Sequence, residues 1–521
     1  MQKKAKYSFT GTTAVLIVCT LLVAACSSGG KSATGGTSPE PAAGSKQPAP
    51  STSAPAANGK MPVVTALLNT ATNFPTENPV IKAIRQKSGV DFQVESVASA
   101  DYEKRLNTLL VSGQAPDIFS VSKTKIQELV ANGVIMPLDD LIAKYGPNIK
   151  ENKGPDLRGT AFVGGKVYGI PSISVLGNAL AIRKDWLDKL KLPVPTTLDE
   201  FEKVLQGFVN DDPDGNGKKD TIGLGAAMDT DSNFTGIFGA FNVPLGQAML
   251  VDGKVTPWML SPGYVDAVKY LNKLFHAGLI EPEVATIPYL QSVTKFFNGK
   301  VGAYNFNAEG TTQNWLTRYV ENPKPQFVYV VLKGPQGFGG YPKVVAADAG
   351  SYAVVSSKAK DPAAVMKMLD FLVSKEGDAM TWAGIEGTSY QYVNGAFQWI
   401  PPYDDAVKLR DFGGYMYSVL LNRTNGMKES LLNDATKQGI KLVTDNPIKS
   451  AYIFGVPQVQ VEKGKILSDM EKEFRTKAML ADSGAIDQMY ADFKKKYLDG
   501  GGNEWITQAT KIYNDEQAAR K

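Results

Sequence analysis

From Pro62 onward, apolar and polar positions follow two rhythms, one of period two and one of helical period. Val63-Val64-Thr65-Ala66-Leu67-Leu68 is a short continuous apolar run, which predicts a strand covered on both faces. Residues 78–89 predict a helix opened by Asn78-Pro79 and closed by Gly89. Asp91-Phe92-Gln93-Val94-Glu95-Ser96-Val97 alternates as a second strand. Asp101 predicts the cap of a helix over 102–112, whose apolar face carries Leu106, Leu109 and Leu110. Residues 117–121 predict a third strand, and 125–132 a helix stopped by Gly133. Strands alternating with helices imply parallel β-α-β units, and such sheets place ligands beyond the carboxyl ends of their strands.

The pattern continues with a strand over 179–183 and a helix from Lys184, on which Trp186 shares an apolar face with Leu187 and Leu190 and reads as core. Thr197, with Glu200 three residues on, predicts the start of another helix. Phe296-Phe297-Asn298-Gly299 ends a helix, and Lys300-Val301-Gly302-Ala303-Tyr304 returns as a strand. A strand over 351–355 and a helix over 362–374 follow. Residues 27–60 break the pattern: almost entirely Ser, Gly, Ala, Pro, Thr, Lys and Gln, they cannot bury enough surface to offset ordering and read as a flexible tether.

Composition narrows the chemistry. Cys19 and Cys26 are the only cysteines and both precede the tether, so the folded part has neither a disulfide nor a thiol nucleophile. His276 is the only histidine, which removes two-imidazole zinc sites and any Ser-His-Asp constellation that does not use it. It sits at the end of a predicted helix, just before Ala277-Gly278, where a structural role suits it. The formal charge is +4, three units of it in Lys3, Lys4 and Lys6, with no basic block, so nucleic acid is not an expected partner. No Gly-x-Ser-x-Gly elbow, His-Glu-x-x-His or phosphate loop occurs. A glycosidase needs only two carboxylates, and 52 acidic residues leave that arithmetic open. Enzymatic activity is nevertheless not expected.

The amino terminus resembles the lipobox of bacterial lipoproteins: three lysines, an apolar run over 14–25 shorter than the roughly 20 residues of a membrane span, then Leu22-Val23-Ala24-Ala25-Cys26. The resemblance implies a signal peptide over 1–25, diacylglyceryl transfer to Cys26, further acylation of the new amino terminus, and a protein anchored on the outer face of the cell membrane. Ser27 after Cys26 points the same way.

Five further motifs resemble the extracellular solute-binding proteins of bacterial ABC importers, in their long oligosaccharide-receptor branch. They are Ala115-Pro116-Asp117-Ile118, Gly165-Lys166-Val167-Tyr168-Gly169-Ile170-Pro171, Arg183-Lys184-Asp185-Trp186-Leu187-Asp188-Lys189-Leu190, Phe297-Asn298-Gly299-Lys300-Val301-Gly302 and Gly384-Ile385-Glu386-Gly387. The resemblance implies an α/β, two-lobe periplasmic-binding-protein-like fold (type II) with hinge crossings and an inter-lobe cleft. Residues 26–60 would be the acylated cysteine and tether. Lobe one would comprise 61–177 with 300–349, and lobe two 178–299 with 350–521. Crossings are expected near 177–183, 299–303 and 350–353. It further implies a monomeric receptor that captures an oligosaccharide and delivers it to permease subunits. A peptide or another polar solute, or ligand sensing without transport, are the alternatives.

Asp212-Pro213-Asp214-Gly215-Asn216-Gly217-Lys218-Lys219-Asp220 places oxygen side chains at alternate positions and glycine at the sixth, as an EF-hand loop does. In that register Asp212, Asp214, Asn216 and Asp220 offer side-chain oxygens to calcium, and Lys218 offers its carbonyl. Gly223 stands at the twelfth position, where an EF-hand has a bidentate glutamate. A metal-free turn is the alternative, since Asp-Gly and Asn-Gly are turn formers by themselves; the resemblance favours calcium, bracing lobe two.

Sugars call for aromatic platforms beside polar groups. Candidates at strand ends and in loops are Asn73, Phe74, Ser122 with Lys123, Asn178, Asn305, Asn307 and Trp315. Trp382, Glu386 and Tyr390 surround the Gly384–Gly387 motif, and Trp258 and Trp399 are further loop candidates.

Overall fold

The computed structural model describes residues 60–70, 73–159, 161–172, 178–307, 319–343, 351–424 and 426–519. Cys26 and Trp315 therefore lie outside the described residues. Among those residues no helix is long and apolar enough to cross a membrane.

Two larger sheets, of five and four strands, organise the described residues. The first has strand order Asp91–Ala98, Val63–Thr70, Ile118–Val121, Ser351–Val355, Gly169–Ser172. Its first three strands are parallel, and Ser351–Val355 runs antiparallel to both neighbours. Val64, Ala66 and Leu68 face one core, shared with the helix Pro362–Val373, while Leu67 faces a second with Tyr102, Leu106 and Phe119. Burial on both faces is why this strand reads as a continuous apolar run. Asn78 accepts from the Ile81 N–H, and Pro79 takes the first helical position as its fixed φ favours. The next helix starts earlier than expected, at Ser99 rather than 102, so Asp101 lies in its first turn and is not its cap.

The second sheet has order Phe327–Val330, Asn178–Arg183, Val301–Asn307, Ile222–Gly225. Leu180 and Ile182 face a core with Trp186, Phe208 and Trp258; Ala179 and Ala181 face another with Phe296, Tyr304 and Tyr319. Trp186 is buried edge-on to Phe208, as its helix face predicts. Thr197 Oγ1 accepts from the Glu200 N–H, and Glu200 answers by accepting from Thr196. His276 Nε2 pairs with the Ala481 carbonyl, which ties its helix end to the chain beyond Gln458–Leu480.

Sheet membership corrects the expected lobe assignment in two places. Val301–Asn307 pairs with Asn178–Arg183 and Ile222–Gly225, so it belongs with the second sheet. Ser351–Val355 pairs with Ile118–Val121, and residues 362–421 share a core with the first sheet. The chain therefore crosses after Ser172, again before Ser351, and a third time after residue 431, where Asp434–Asp445 packs on Phe327–Val330. No crossing occurs at 299–303. A strand that follows a helix looks alike in sequence whichever sheet receives it, and only its hydrogen-bond partners decide.

Candidate functional site

Lys123 opens the helix Lys123–Ala131, directly after the carboxyl end of Ile118–Val121. Its ammonium donates to the Ile453 carbonyl at 2.8 Å and stands 5.1 Å from the centroid of the Tyr452 ring. Ile453 lies between the helices Asp434–Asp445 and Gln458–Leu480, which belong with the second sheet, so this contact joins the two lobes. Around it is a pocket of about 300 Å³ whose lining includes Lys123, Gln247, Tyr452, Gln460 and Trp505. That volume is at the lower end for small-molecule sites.

The loop carrying Tyr452 is braced by the C-terminal helix Asn503–Ala519. Glu516 accepts from the Phe454 and Gly455 N–H groups, the latter at 2.7 Å. Gln508 Oε1 accepts from Val459, and Trp505 Nε1 donates to Gln460 Oε1 at 2.7 Å. On the other side the Ala451 N–H donates to the Ala248 carbonyl, which sets residues 247–248 beside 450–452. The pocket thus offers two aromatic rings, two amides and one cation on backbone that is held from behind.

Of the expected ligand residues, Ser122 and Lys123 are at this junction, and Ser122 Oγ lies 3.2 Å from Thr124 Oγ1. Asn73 is exposed beyond the first strand. Phe74 is instead a core residue, edge-on to Tyr417. Asn178 begins its strand opposite Asn307. Asn305 is buried and structural: its Oδ1 accepts from the Gly236 N–H and its carbonyl from Asn233 Nδ2. Trp258 is also core, packed against Phe238 and Tyr264 below the Arg475 guanidinium. These three corrections share one cause: residues next to a glycine or strand end in sequence can still turn inward.

Trp382 and Tyr390 do come together, in an aromatic cluster with Phe397 and Trp399 of the hairpin Tyr390–Val393/Ala396–Trp399. Tyr390 stacks on Phe397, burial pushes its hydroxyl pKa up to about 12, and Glu386 is exposed beside it. This cluster is not part of the lining of the Lys123 pocket. Gln247, Tyr452 and Trp505 were missed by sequence reasoning. Tyr452 sits in a loop bounded by Pro447, Gly455 and Pro457, a signal that could have marked it.

The Asp212–Asp220 loop folds around its own donors. Asp212 Oδ2 accepts from the Gly217 N–H and Oδ1 from Asn216; Gly217 takes the left-handed turn at φ +77°. Asn216 Nδ2 donates to Asp214 and Asp220. Lys300 Nζ then lies 3.0 Å from Asp214 Oδ2 and 2.9 Å from Asp220 Oδ2. Hydrogen bonds from Asn216 and Lys300 hold Asp220 below its ordinary pKa, and the bond to Asp220 raises Lys300. Among the described residues no group of three or more His, Cys, Asp or Glu side chains is placed to hold a metal ion. The all-oxygen donor set suits a hard cation, and the Lys300 ammonium is the cation on which Asp214 and Asp220 converge. The Lys218 N–H is engaged by Asn216 Oδ1.

Comparison with known proteins follows the same lines. The chain is similar to the lipoprotein LipO of Bacillus subtilis, 25% identical over 469 residues, covering 85% of this chain and 90% of LipO. It is 26% identical over 461 residues to the polygalacturonan/rhamnogalacturonan-binding protein YtcQ of Bacillus subtilis, covering 83% and 87%. The solved structure of the Streptococcus pneumoniae ABC-transporter substrate-binding protein FusA, an EF-hand mutant in complex with fructo-nystose, matches with a TM-score of 0.68 at 21% identity. The match covers 88% of this chain and 100% of FusA, and identifies the two-lobe periplasmic-binding-protein-like fold. Residues 71–379 match the family of bacterial extracellular solute-binding proteins, and to that family the chain belongs.

Proposed function

We propose that this protein is an oligosaccharide receptor of an ABC importer, anchored by lipid on the outer face of the cell membrane. The observation that carries the reading is the inter-lobe pocket in which Tyr452 and Trp505 stand beside Gln247, Gln460 and Lys123. Aromatic faces stack on the apolar faces of sugar rings while amides take their hydroxyls. YtcQ, named for polygalacturonan and rhamnogalacturonan, and FusA, solved with a fructan oligomer, both support a glycan ligand, acidic in the first case and neutral in the second. The solute enters between open lobes, the lobes close about their crossings, and the closed form engages the permease. The receptor catalyses no reaction.

Calcium at the Asp212–Asp220 loop belongs to the same reading, supported by the EF-hand of FusA. Asp212, Asp214, Asn216 and Asp220 would hold it with the Lys218 carbonyl, and Lys300 would withdraw from the two carboxylates. The ion would add rigidity to the second lobe, since it joins the end of the helix Leu198–Asn210 to the strand Ile222–Gly225.

One thermal-shift screen of the full-length chain tests both. A ligand that binds only the folded state raises the melting temperature, by about 2.7 kcal/mol of stabilisation at a hundred times its Kd. Oligosaccharides and calcium are each expected to raise it, and their effects to add. A cooperative transition unmoved by any glycan, or hydrolysis of a glycan during incubation, would overturn the receptor reading; indifference to calcium would leave the loop a metal-free turn braced by Lys300.

The anchor is supported by the lipobox around Cys26 and by the likeness to LipO. Cys26→Ser is expected to release the protein into the medium, read by immunoblot of cell and medium fractions. Retention on the cell would remove the anchor.

A further inference from the structure

We infer that Gln247, Ser450 and Tyr452 form a hydroxyl-binding subsite from which a carboxylate is excluded, so that the receptor prefers an uncharged glycan over a uronic-acid oligomer. The inference rests on the receptor reading above and narrows its substrate class.

Three side-chain atoms carry the argument. Gln247 Oε1, Ser450 Oγ and Tyr452 Oη are buried and have no hydrogen-bond partner among the described residues. An unsatisfied buried polar atom costs about 1–3 kcal/mol, and native proteins hold few of them. Here three fall within one short stretch of structure. Gln247 and Tyr452 both line the inter-lobe pocket, and Ser450 adjoins them because the Ala451–Ala248 backbone hydrogen bond sets the two segments side by side.

Their chemistry specifies the partner. Gln247 Nε2 donates to the Lys343 carbonyl at 2.7 Å. That bond fixes the amide, so what Gln247 has left is its oxygen, which only accepts. A partner for Oε1 must therefore donate a hydrogen. Sugar hydroxyls donate and accept, and so pair with all three atoms. A carboxylate only accepts, and facing Oε1 it would be repelled.

The cation of the pocket does not reverse this preference. Lys123 is directed at the Ile453 carbonyl and the Tyr452 ring, where its charge fastens one lobe to the other. At about 300 Å³ the pocket has room for a sugar ring, not for a polymer segment. The subsite grips one residue of a longer solute.

The test is calorimetric titration of the full-length chain in detergent micelles. The probes are neutral oligosaccharides (fructo-, xylo- and malto-series) and oligogalacturonides of matched length. Tyr452→Phe removes one hydroxyl while keeping the ring beneath Lys123, and Ser450→Ala serves as the second variant should the first fail to fold. A neutral series is expected to bind more tightly than oligogalacturonides. Each variant is expected to weaken binding about 5- to 30-fold, the loss of one satisfied hydrogen bond, with the melting temperature of the free protein held or raised. Tighter binding of oligogalacturonides would overturn the inference and leave the receptor standing. Neutral binding untouched by both variants would overturn the subsite. Failure of every glycan with a cooperatively melting protein would bring down the receptor reading, and this inference with it.

Discussion

Glu471→Ala is expected to destabilise the folded protein by about 3–5 kcal/mol, because it breaks a buried ion pair by removing one of its members. Glu471 and Arg475 are both essentially inaccessible to water on the helix Gln458–Leu480. Glu471 accepts from Arg475 Nε at 3.0 Å and from the Tyr264 hydroxyl at 2.7 Å. The guanidinium also lies against the Phe234 and Trp258 rings. Removing the carboxylate takes from a fully buried cation the partner it meets on its own helix and unties that helix from Tyr264–His276. The double variant Glu471→Met with Arg475→Met removes both charges and is expected to cost much less, since a buried pair adds little net stability over packed hydrophobes. Urea unfolding at neutral pH measures both. A single variant as mild as the double would show that the pair carries no such debt.

The second large effect is a rise in stability from pH 7 to about pH 9. Lys153 is fully buried, and desolvation pushes its pKa down from 10.5 to about 8. Asp156, Glu429 and Asp378 oppose that shift from the elements packed around it, Arg423 adds to it, and Thr424 Oγ1 accepts from the ammonium at 3.1 Å. Between pH 8 and 10.5 the folded chain has given up a proton that the unfolded chain still holds. The unfolded state binds more protons there, so stability increases with pH across that window. By pH 10 the gain from Lys153 is about 2 kcal/mol. Lys428, also pushed to about 8 by burial, adds in the same direction. Above about pH 9 the trend reverses, because burial raises many tyrosines, Tyr102, Tyr264, Tyr304 and Tyr341 among them, which stay neutral in the folded state while unfolded tyrosines ionise. Urea midpoints at pH 7, 8 and 9 should climb, and Lys153→Met should flatten the slope. A wild-type curve that is flat or falling between pH 8 and 9 would contradict a buried, proton-poor lysine.

Local elements were legible because their causes are local. Asn78-Pro79 and Thr197 with Glu200 start helices through bonds that close within four residues, and Trp186 declares its burial by the helical spacing of its neighbours. The Asp212–Asp220 turn is equally self-contained, apart from Lys300, which reaches it from 80 residues further along the chain. Ligand residues were harder. Trp258 and Asn305 carry the residue types a sugar site needs, yet the first packs beneath Arg475 and the second pins Gly236. Residue type describes what a side chain can do; direction depends on what lies across from it.

By itself the sequence determined the strand–helix alternation, the lack of any cysteine after Cys26 and of any histidine but His276, and the family through its motifs. Each rests on residue types and short spacings, which no later fold can change. Tertiary structure alone decided which sheet received Val301–Asn307 and Ser351–Val355, since a strand's partner is chosen by hydrogen bonding and burial across the whole chain. It also decided the pocket. Lys123 meets Ile453 from 330 residues away, and Gln247 and Trp505 join them from two further segments. Loop closure over such separations is cheap, growing only with the logarithm of length, so nothing in the local sequence has to record it.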